Sequence, residues 1–532
     1  MSEAAVPSRS AYPASLLLAL ALSVLGSACA EERSAISVED AVARLTPELI
    51  RDRVAVLAHD SMRGRDTDDV GYEKARDWAV GEMQRIGLEP AFDGEYLQPF
   101  DLLEAVSDDG SRLVVGGIVL TPPDVIVEPD WTGAAVQRTG PAVWIGHALV
   151  AADADVPDLD GRIAFIEAGA PAGREDEPEI AMRERAHVEL ALSAGAAAVV
   201  VLDPQGDEQA WQRQAAAGRP IRVLADGTAP YPRAQARVGP AASRRLIDAL
   251  AGGTPPVTLE PRHTLRTLRS WNVGGRWPGT ESARADEAVV FTAHLDHVGI
   301  GAPDAEGDSV FNGTHDNALG VGKLLAAAEA LRGARLPRSV LFLLTGAEEW
   351  GLLGAWHYVN HPAVPMERTV AAINHDGGLV DVRTDDVFAW GPEFSSVEAD
   401  VERAARESGL VLAREKRAPF APSAGLLYRS DHYPFLIAGV PVVYLMPGFT
   451  VDGDPDAGRR RWETYLARTH HRQADDFDAS ASYEGPVALT ALSVRLAWDL
   501  AEAEGMPITH ADAPVRRRRG PPSGFFFGEG VR

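Results

Sequence analysis

From residue 265 to residue 505, short apolar runs alternate with helix-length stretches. Residues 288–292, 340–344, 370–373 and 440–445 read as buried strands. Residues 318–331, the stretch through Val397, Val401, Ala404 and Ala405, and residues 487–501 read as helices. Few folds accommodate that alternation, and the expected one is α/β, a mostly parallel sheet flanked by helices. Such sheets bind ligands beyond the carboxyl ends of their strands. His294, Glu349 and Asp376 each follow one of the strand-like runs. Asp316 stands at the expected start of the helix at 318–331.

The chain has 532 residues, more than one simple core accommodates, so two or three domains are expected. Its formal charge of -26 argues against nucleic acid, since a phosphate backbone calls for a basic surface. Cys29 is the single cysteine, which excludes an internal disulfide and a site built on several thiolates. Residues 16–25 are apolar but too few to span a bilayer, and Gly26-Ser27-Ala28-Cys29 follows them. Residues 1–30 therefore read as a signal segment that exports the chain to the periplasm, the medium or a membrane surface. The stretch resembles a bacterial lipoprotein cleavage site, although Gly26 stands where Leu is expected. Lipidation of Cys29, with membrane attachment, and ordinary cleavage after Ala28-Cys29-Ala30 both remain open.

Residues 38–109 show helical spacing through Val38, Ala41, Val42 and Leu45, then Ile50, Val54 and Leu57. A second helical pattern, 72–86, stops at Gly87. Residues 110–262 differ in character, with β-rich runs at 113–120, 142–145, 162–167 and 197–202 and one helix at 182–193. No chemical constellation gathers there, so this insert reads as non-catalytic. The catalytic part is expected at 263–508, and the tail at 509–532, with its run Arg516 to Arg519, reads as disordered.

Each chemical motif has a plain alternative. In Ala293-His294-Leu295-Asp296-His297, a histidine at a strand end can offer a ring nitrogen to a metal. The Asp296 carboxylate two residues on can then accept its other ring N–H. Asp316 can bridge two cations or simply cap a helix. Glu348 and Glu349 stand side by side after a buried strand, which is costly unless something cationic holds them. The alternative there is an acidic helix start. One of the pair can bind metal while the other acts as a general base. Asp376 after its strand and His471 beside His470 complete the set, and singly each reads as a polar loop.

Taken together, the segments A-H-L-D-H-V-G-I-G, N-G-T-H-D-N-A-L-G, G-A-E-E-W-G-L-L-G, I-N-H-D, R-S-D-H-Y-P-F and H-R-Q-A-D resemble the co-catalytic zinc aminopeptidase family. Its superfamily also holds glutamate carboxypeptidases and transferrin receptors. The stretch Asp158-Leu159-Asp160-Gly161-Arg162-Ile163 resembles an inserted protease-associated domain. The resemblance implies the zinc exopeptidase fold, two Zn2+ ions and peptide substrates. It implies that Asp316 bridges the ions, with His294 and Asp376 on one and Glu349 and His471 on the other. Glu348 would be the general base acting on a zinc-bridged water, and Asp296 the partner of His294. Tyr428, Ser430, Asp431 and His432 would lie at the substrate pocket. His315, Leu319 and His375 depart from the family pattern, and His470 is the alternative to His471. The competing functions are a glutamate-type carboxypeptidase, a glutaminyl cyclase with one zinc, and a receptor that has lost catalysis.

Overall fold

The computed structural model describes residues 36–511 and 513, apart from 108–109, 130, 132–136, 148–157, 170–187, 189–190, 193, 218–219, 229–234 and 414–422. The leader with Cys29, most of the helix expected at 182–193 and the tail from Pro514 lie outside the described residues.

A ten-stranded sheet forms the centre. Its strands are β1 (Glu89–Pro90), β2 (Leu97–Ser107), β3 (Ile221–Leu224), β4 (His263–Trp277), β5 (Ala288–His294), β6 (Ser339–Thr345), β7 (Thr369–Asn374), β8 (Asp386–Trp390), β9 (Val411–Leu412) and β10 (Val442–Pro447). Their order is β9-β8-β10-β7-β5-β6-β4-β2-β3, with β1 paired to β4. The central strands β6, β5, β7 and β10 run parallel, while β4, β2 and β3 extend one side antiparallel. Every residue of β5, β6 and β7 is buried, because helices cover both faces. Successive residues of β5 face opposite cores. Val289, Phe291 and Ala293 pack with helices α1 (Pro47–Leu57), α3 (Leu319–Ala330) and α7 (Glu484–Glu502). Val290 packs on the other side with α4 (Leu353–Asn360), α5 (His432–Ile437) and α6 (Ala457–Arg468).

The helical pattern read through 38–57 is two helices, Val38–Ala43 and α1. They separate where Thr46 caps the second and Pro47 opens it. The helix expected at 72–86 is α2 (Val70–Ile86) and ends at Gly87.

Residues 112–260 contribute a separate eight-stranded sheet with its own core around Leu113, Val125, Ile163, Val200 and Leu246. The single run expected at 113–120 is a hairpin, Arg112–Val115 against Ile118–Leu120. Gly116 and Gly117, with φ of 55° and 92°, form the turn that only such permissive residues make readily. One stretch of the expected insert belongs elsewhere, since β3 leaves it and pairs with β2 at the edge of the central sheet. An ion-pair network, in which Arg266 also holds Glu104, accompanies the detour. Arg222 on β3 reaches the fully buried Glu104 at 2.7 Å and Asp66 at 2.9 Å, and a buried carboxylate without such a partner is strongly unfavourable.

Three helices are tied by one ionic cluster. Arg53 of α1 is buried and meets Glu82 of α2 and Glu329 of α3, while Arg85 of α2 reaches Glu329 at 2.8 Å. Hydrogen bonding from Arg85, reinforced by Arg53 against the cost of burial, draws the Glu329 carboxyl from 4.5 down to about 2. The folded value lies below the unfolded one. The stabilisation is therefore complete above pH 4.5 and is lost as the pH falls towards 2. Glu329→Gln should cost on the order of 1 kcal/mol at neutral pH, because the group is partly screened by solvent. Denaturation midpoints of the two proteins should converge as the pH is lowered through this window.

Candidate active site

The parallel strands deliver three side chains to one edge. His294 ends β5, Glu349 lies four residues beyond β6, and Asp376 lies two beyond β7. The loop after β5 adds Asp316, and the turn after α6 adds His471. Asp316 is not a helix cap. Its φ and ψ are -121° and 93°, and α3 begins only at Leu319. Gly313 bends this loop with a φ of 60°, and a Cβ there would lie 2.3 Å from the Asp316 carbonyl oxygen and 2.5 Å from the His297 ring. Nor do Glu348 and Glu349 start a helix, since α4 begins at Leu353.

The two carboxylate oxygens of Asp316 are divided between imidazoles. Oδ1 lies 3.1 Å from His294 Nε2, and Oδ2 lies 2.9 Å from His471 Nε2. His294 Nε2 is also 3.2 Å from Asp376 Oδ1, and His471 Nε2 is 3.2 Å from Glu349 Oε1. His470 is farther, with Nε2 3.6 Å from Asp316 Oδ2, and its ring stacks on that of His471 at 4.0 Å. Two groups of metal-ligand atoms result: His294 with Glu348 and Asp376, and His297 with Asp316, Glu349 and His471.

His297 has no role in the motif reading, yet it is fully buried and its Nδ1 contacts Glu349 Oε1 at 2.8 Å. A second imidazole three residues after His294 was the available signal. Arg65 carried no such signal. It lies beneath the cluster, only 1% exposed, and donates to the carbonyls of Leu57, Leu295, Asn312 and Gly313. It thereby ties together the two ends of the loop between His294 and Asp316.

Several expected partners are arranged differently. His294 Nδ1 meets the backbone carbonyl of Asp296 at 3.1 Å, not its carboxylate. The Asp296 carboxylate instead accepts the backbone N–H groups of Glu348, at 3.0 Å, and Glu349, at 3.3 Å. The chain turns at Asp296 so that its carbonyl faces back to the ring, which frees the side chain to fix the neighbouring loop. Ser430, Asp431 and His432 are buried and back the strands. Ser430 accepts from Asn374 at 2.7 Å, Asp431 accepts from the Thr345 hydroxyl at 2.5 Å, and the His432 ring lies 4.9 Å from that of Tyr444. Tyr428 is half-buried with its ring 5.2 Å from Tyr433. His315 is engaged by Asp475, whose Oδ1 is 2.6 Å from its Nδ1. His375 stacks on Phe291 at 5.8 Å within the core.

The electrostatics describe a buried cluster of acids and imidazoles: against the cost of burial, hydrogen bonds from His294 and His471 hold Asp316 well below the usual carboxylate range, and those from His297 and His471 lower Glu349. Burial, aided by Asp376 and Glu349 and opposed by His294, holds the Glu348 carboxyl well above the usual range. Burial likewise raises Asp296 to about 7 and Asp431 to about 6. His471, although burial disfavours its charge, is raised to about 10 by hydrogen bonds to Asp316 and Glu349. The donor set of carboxylates and imidazoles fits zinc or a similar divalent ion.

A model of peptidase family M28 matches residues 272–494. The chain is 26% identical over 328 residues to "Probable leucine aminopeptidase 2" of Aspergillus fumigatus, covering 59% of this chain and 56% of that one. It is 22% identical over 394 residues to "Probable lipoprotein aminopeptidase LpqL" of Mycobacterium tuberculosis, covering 72% and 69%. It is 27% identical over 173 residues to the alkaline phosphatase isozyme conversion protein of Escherichia coli, covering 31% and 48%. Against the first of its curated relatives, the chain spans about half of their length. Its fold is like that of the aminopeptidase from Aneurinibacillus sp. strain AM-1, with a TM-score of 0.53, 17% identity, and coverage of 91% of this chain and all of that one. The matched stretch carries the whole cluster from His294 to His471.

Proposed function

We propose that this chain is an exported metallo-aminopeptidase that removes N-terminal residues from peptides and holds two zinc ions at the Asp316 cluster. The observation that carries this reading is the division of the Asp316 carboxylate, one oxygen facing His294 and the other His471. On this reading Asp316, His294 and Asp376 hold one ion, and Asp316, Glu349 and His471 hold the other. Bound there, such cations polarise a carbonyl and make water acidic enough to attack near neutral pH. Glu348 takes the proton of the attacking water at its carboxylate and returns it to the departing amine. Asp296 holds Glu348 and Glu349 in place through their backbone N–H groups. His297 orients Glu349.

A carboxypeptidase would need a cation for the substrate carboxylate. Arg459, Arg460 and Arg461 are paired with Asp456, Asp454 and Asp381, which leaves Arg429, in electrostatic reach of Tyr444, as the cation for that alternative; the names of the relatives favour the aminopeptidase reading. Export rests on the apolar leader and on the lipoprotein name carried by one relative. The separate sheet supports reading residues 110–262 as a protease-associated-like insert. Amino-acid anilides should be cleaved and blocked dipeptides should not, with all cleavage lost on chelation and restored by zinc. Cleavage of blocked dipeptides at an equal rate would refute the aminopeptidase reading.

A further inference from the structure

A second gathering of metal-ligand side chains lies outside the Asp316 cluster and shares no residue with it. Asp226 stands two residues beyond β3, the strand that returns from the insert to the central sheet. His357 lies on α4, and His361 follows one helical turn later, its N–H bonded to the His357 carbonyl at 2.9 Å. Histidines four apart share a helix face and can chelate one ion.

Both imidazoles converge on one oxygen. Asp226 Oδ2 is 3.1 Å from His361 Nε2 and 3.5 Å from His357 Nδ1. Neighbouring ligands of a tetrahedral zinc with bonds of about 2.0–2.1 Å are about 3.3 Å apart, so both spacings suit one ion. The other Asp226 oxygen is occupied by the backbone N–H and hydroxyl of Thr228, at 2.9 and 2.7 Å, which points Oδ2 at the rings. An Asp226–His361 hydrogen bond accounts for one of the contacts but not the other. His357 Nδ1 is buried and makes no hydrogen bond, and its ring is fixed by stacking on Phe100 at 5.0 Å. Burial and the neighbouring His361 lower its pKa to about 4, leaving a neutral ring with a free electron pair.

We propose that Asp226, His357 and His361 form a further binding site for zinc or a similar borderline divalent cation, which clamps the returning strand of the insert to the helix behind the catalytic loop. Two imidazoles and one carboxylate disfavour calcium and magnesium, which prefer all-oxygen shells. The clamp would reinforce a join already present, since Arg222 of β3 stacks 3.8 Å over the ring of Trp350, next to Glu349.

The test uses the full chain, stripped with a chelator, reloaded with zinc and dialysed, with bound zinc measured by elemental analysis. His361 is half exposed, so His361→Gln should fold. This variant and Asp226→Asn should each bind one zinc fewer than wild type, lose part of the zinc-induced rise in Tm, and keep peptidase activity. The same one-ion deficit should appear when His361→Gln is placed in a Glu349→Gln background, which makes the result independent of how the Asp316 cluster is loaded. Equal zinc content in wild type and either single variant would overturn the proposal.

Discussion

Replacing Glu348 with Gln is expected to lower turnover by about 10²–10⁴-fold while zinc content stays at the wild-type level. The amide keeps the size of the side chain and its place beside His294 and Asp376, but it cannot take up a proton. Its backbone setting should survive as well, because Asp296 grips the N–H groups of Glu348 and Glu349 and not their side chains. Buried and crowded by other acids, the Glu348 carboxyl accepts a proton more readily than an exposed one. Glu348 also sits within ligand distance of His294 and Asp376, so a role as metal ligand has a distinct signature. In that case Glu348→Gln would lose metal along with activity. Wild-type activity in the variant would remove Glu348 from the mechanism. Elemental analysis beside steady-state kinetics separates the three outcomes.

The site was legible in the chain to the extent that strand ends are legible. An apolar run followed by His294, Glu349 or Asp376 locates a side chain at the carboxyl edge of a sheet, and β5, β6 and β7 place all three there. What the pattern does not carry is the direction of a side chain after the strand stops. Asp296 follows His294 by two residues, yet its carboxylate serves the loop of Glu348 and Glu349. Ser430, Asp431 and His432 stand in a polar-looking motif, but Thr345, Asn374 and Tyr444 draw them into the interior. Arg65 lies far from the cluster in sequence, and only the fold brings it under Leu295 and Gly313. The same holds for β3, whose four residues look like any strand of the insert until the buried Glu104 claims Arg222. Periodicity reports which face is buried. It does not report which distant charge must be neutralised.

The largest loss of metal is expected from Asp316→Asn. Each other ligand of the proposed centre serves one ion, but Asp316 faces both, with Oδ1 towards His294 and Oδ2 towards His471. An amide supplies one oxygen, and its NH2 group has no free electron pair for a metal, so one site loses a ligand outright. The remaining oxygen is neutral and a weaker donor, so the other site is weakened too. Loss of an outer hydrogen-bonding partner typically costs about 10–100-fold in metal affinity, and loss of a shared ligand should exceed that at both sites. His471→Ala should by contrast release only one ion, since His294 and Asp376 remain with Asp316 on the other side. Zinc content after dialysis should therefore fall further in Asp316→Asn than in His471→Ala, with activity below detection in the former. If Asp316→Asn retained its full zinc content, the shared-carboxylate arrangement would be wrong. His297 would then be the first residue to test as a replacement ligand, since its Nδ1 lies 4.0 Å from Asp316 Oδ2 and 2.8 Å from Glu349 Oε1.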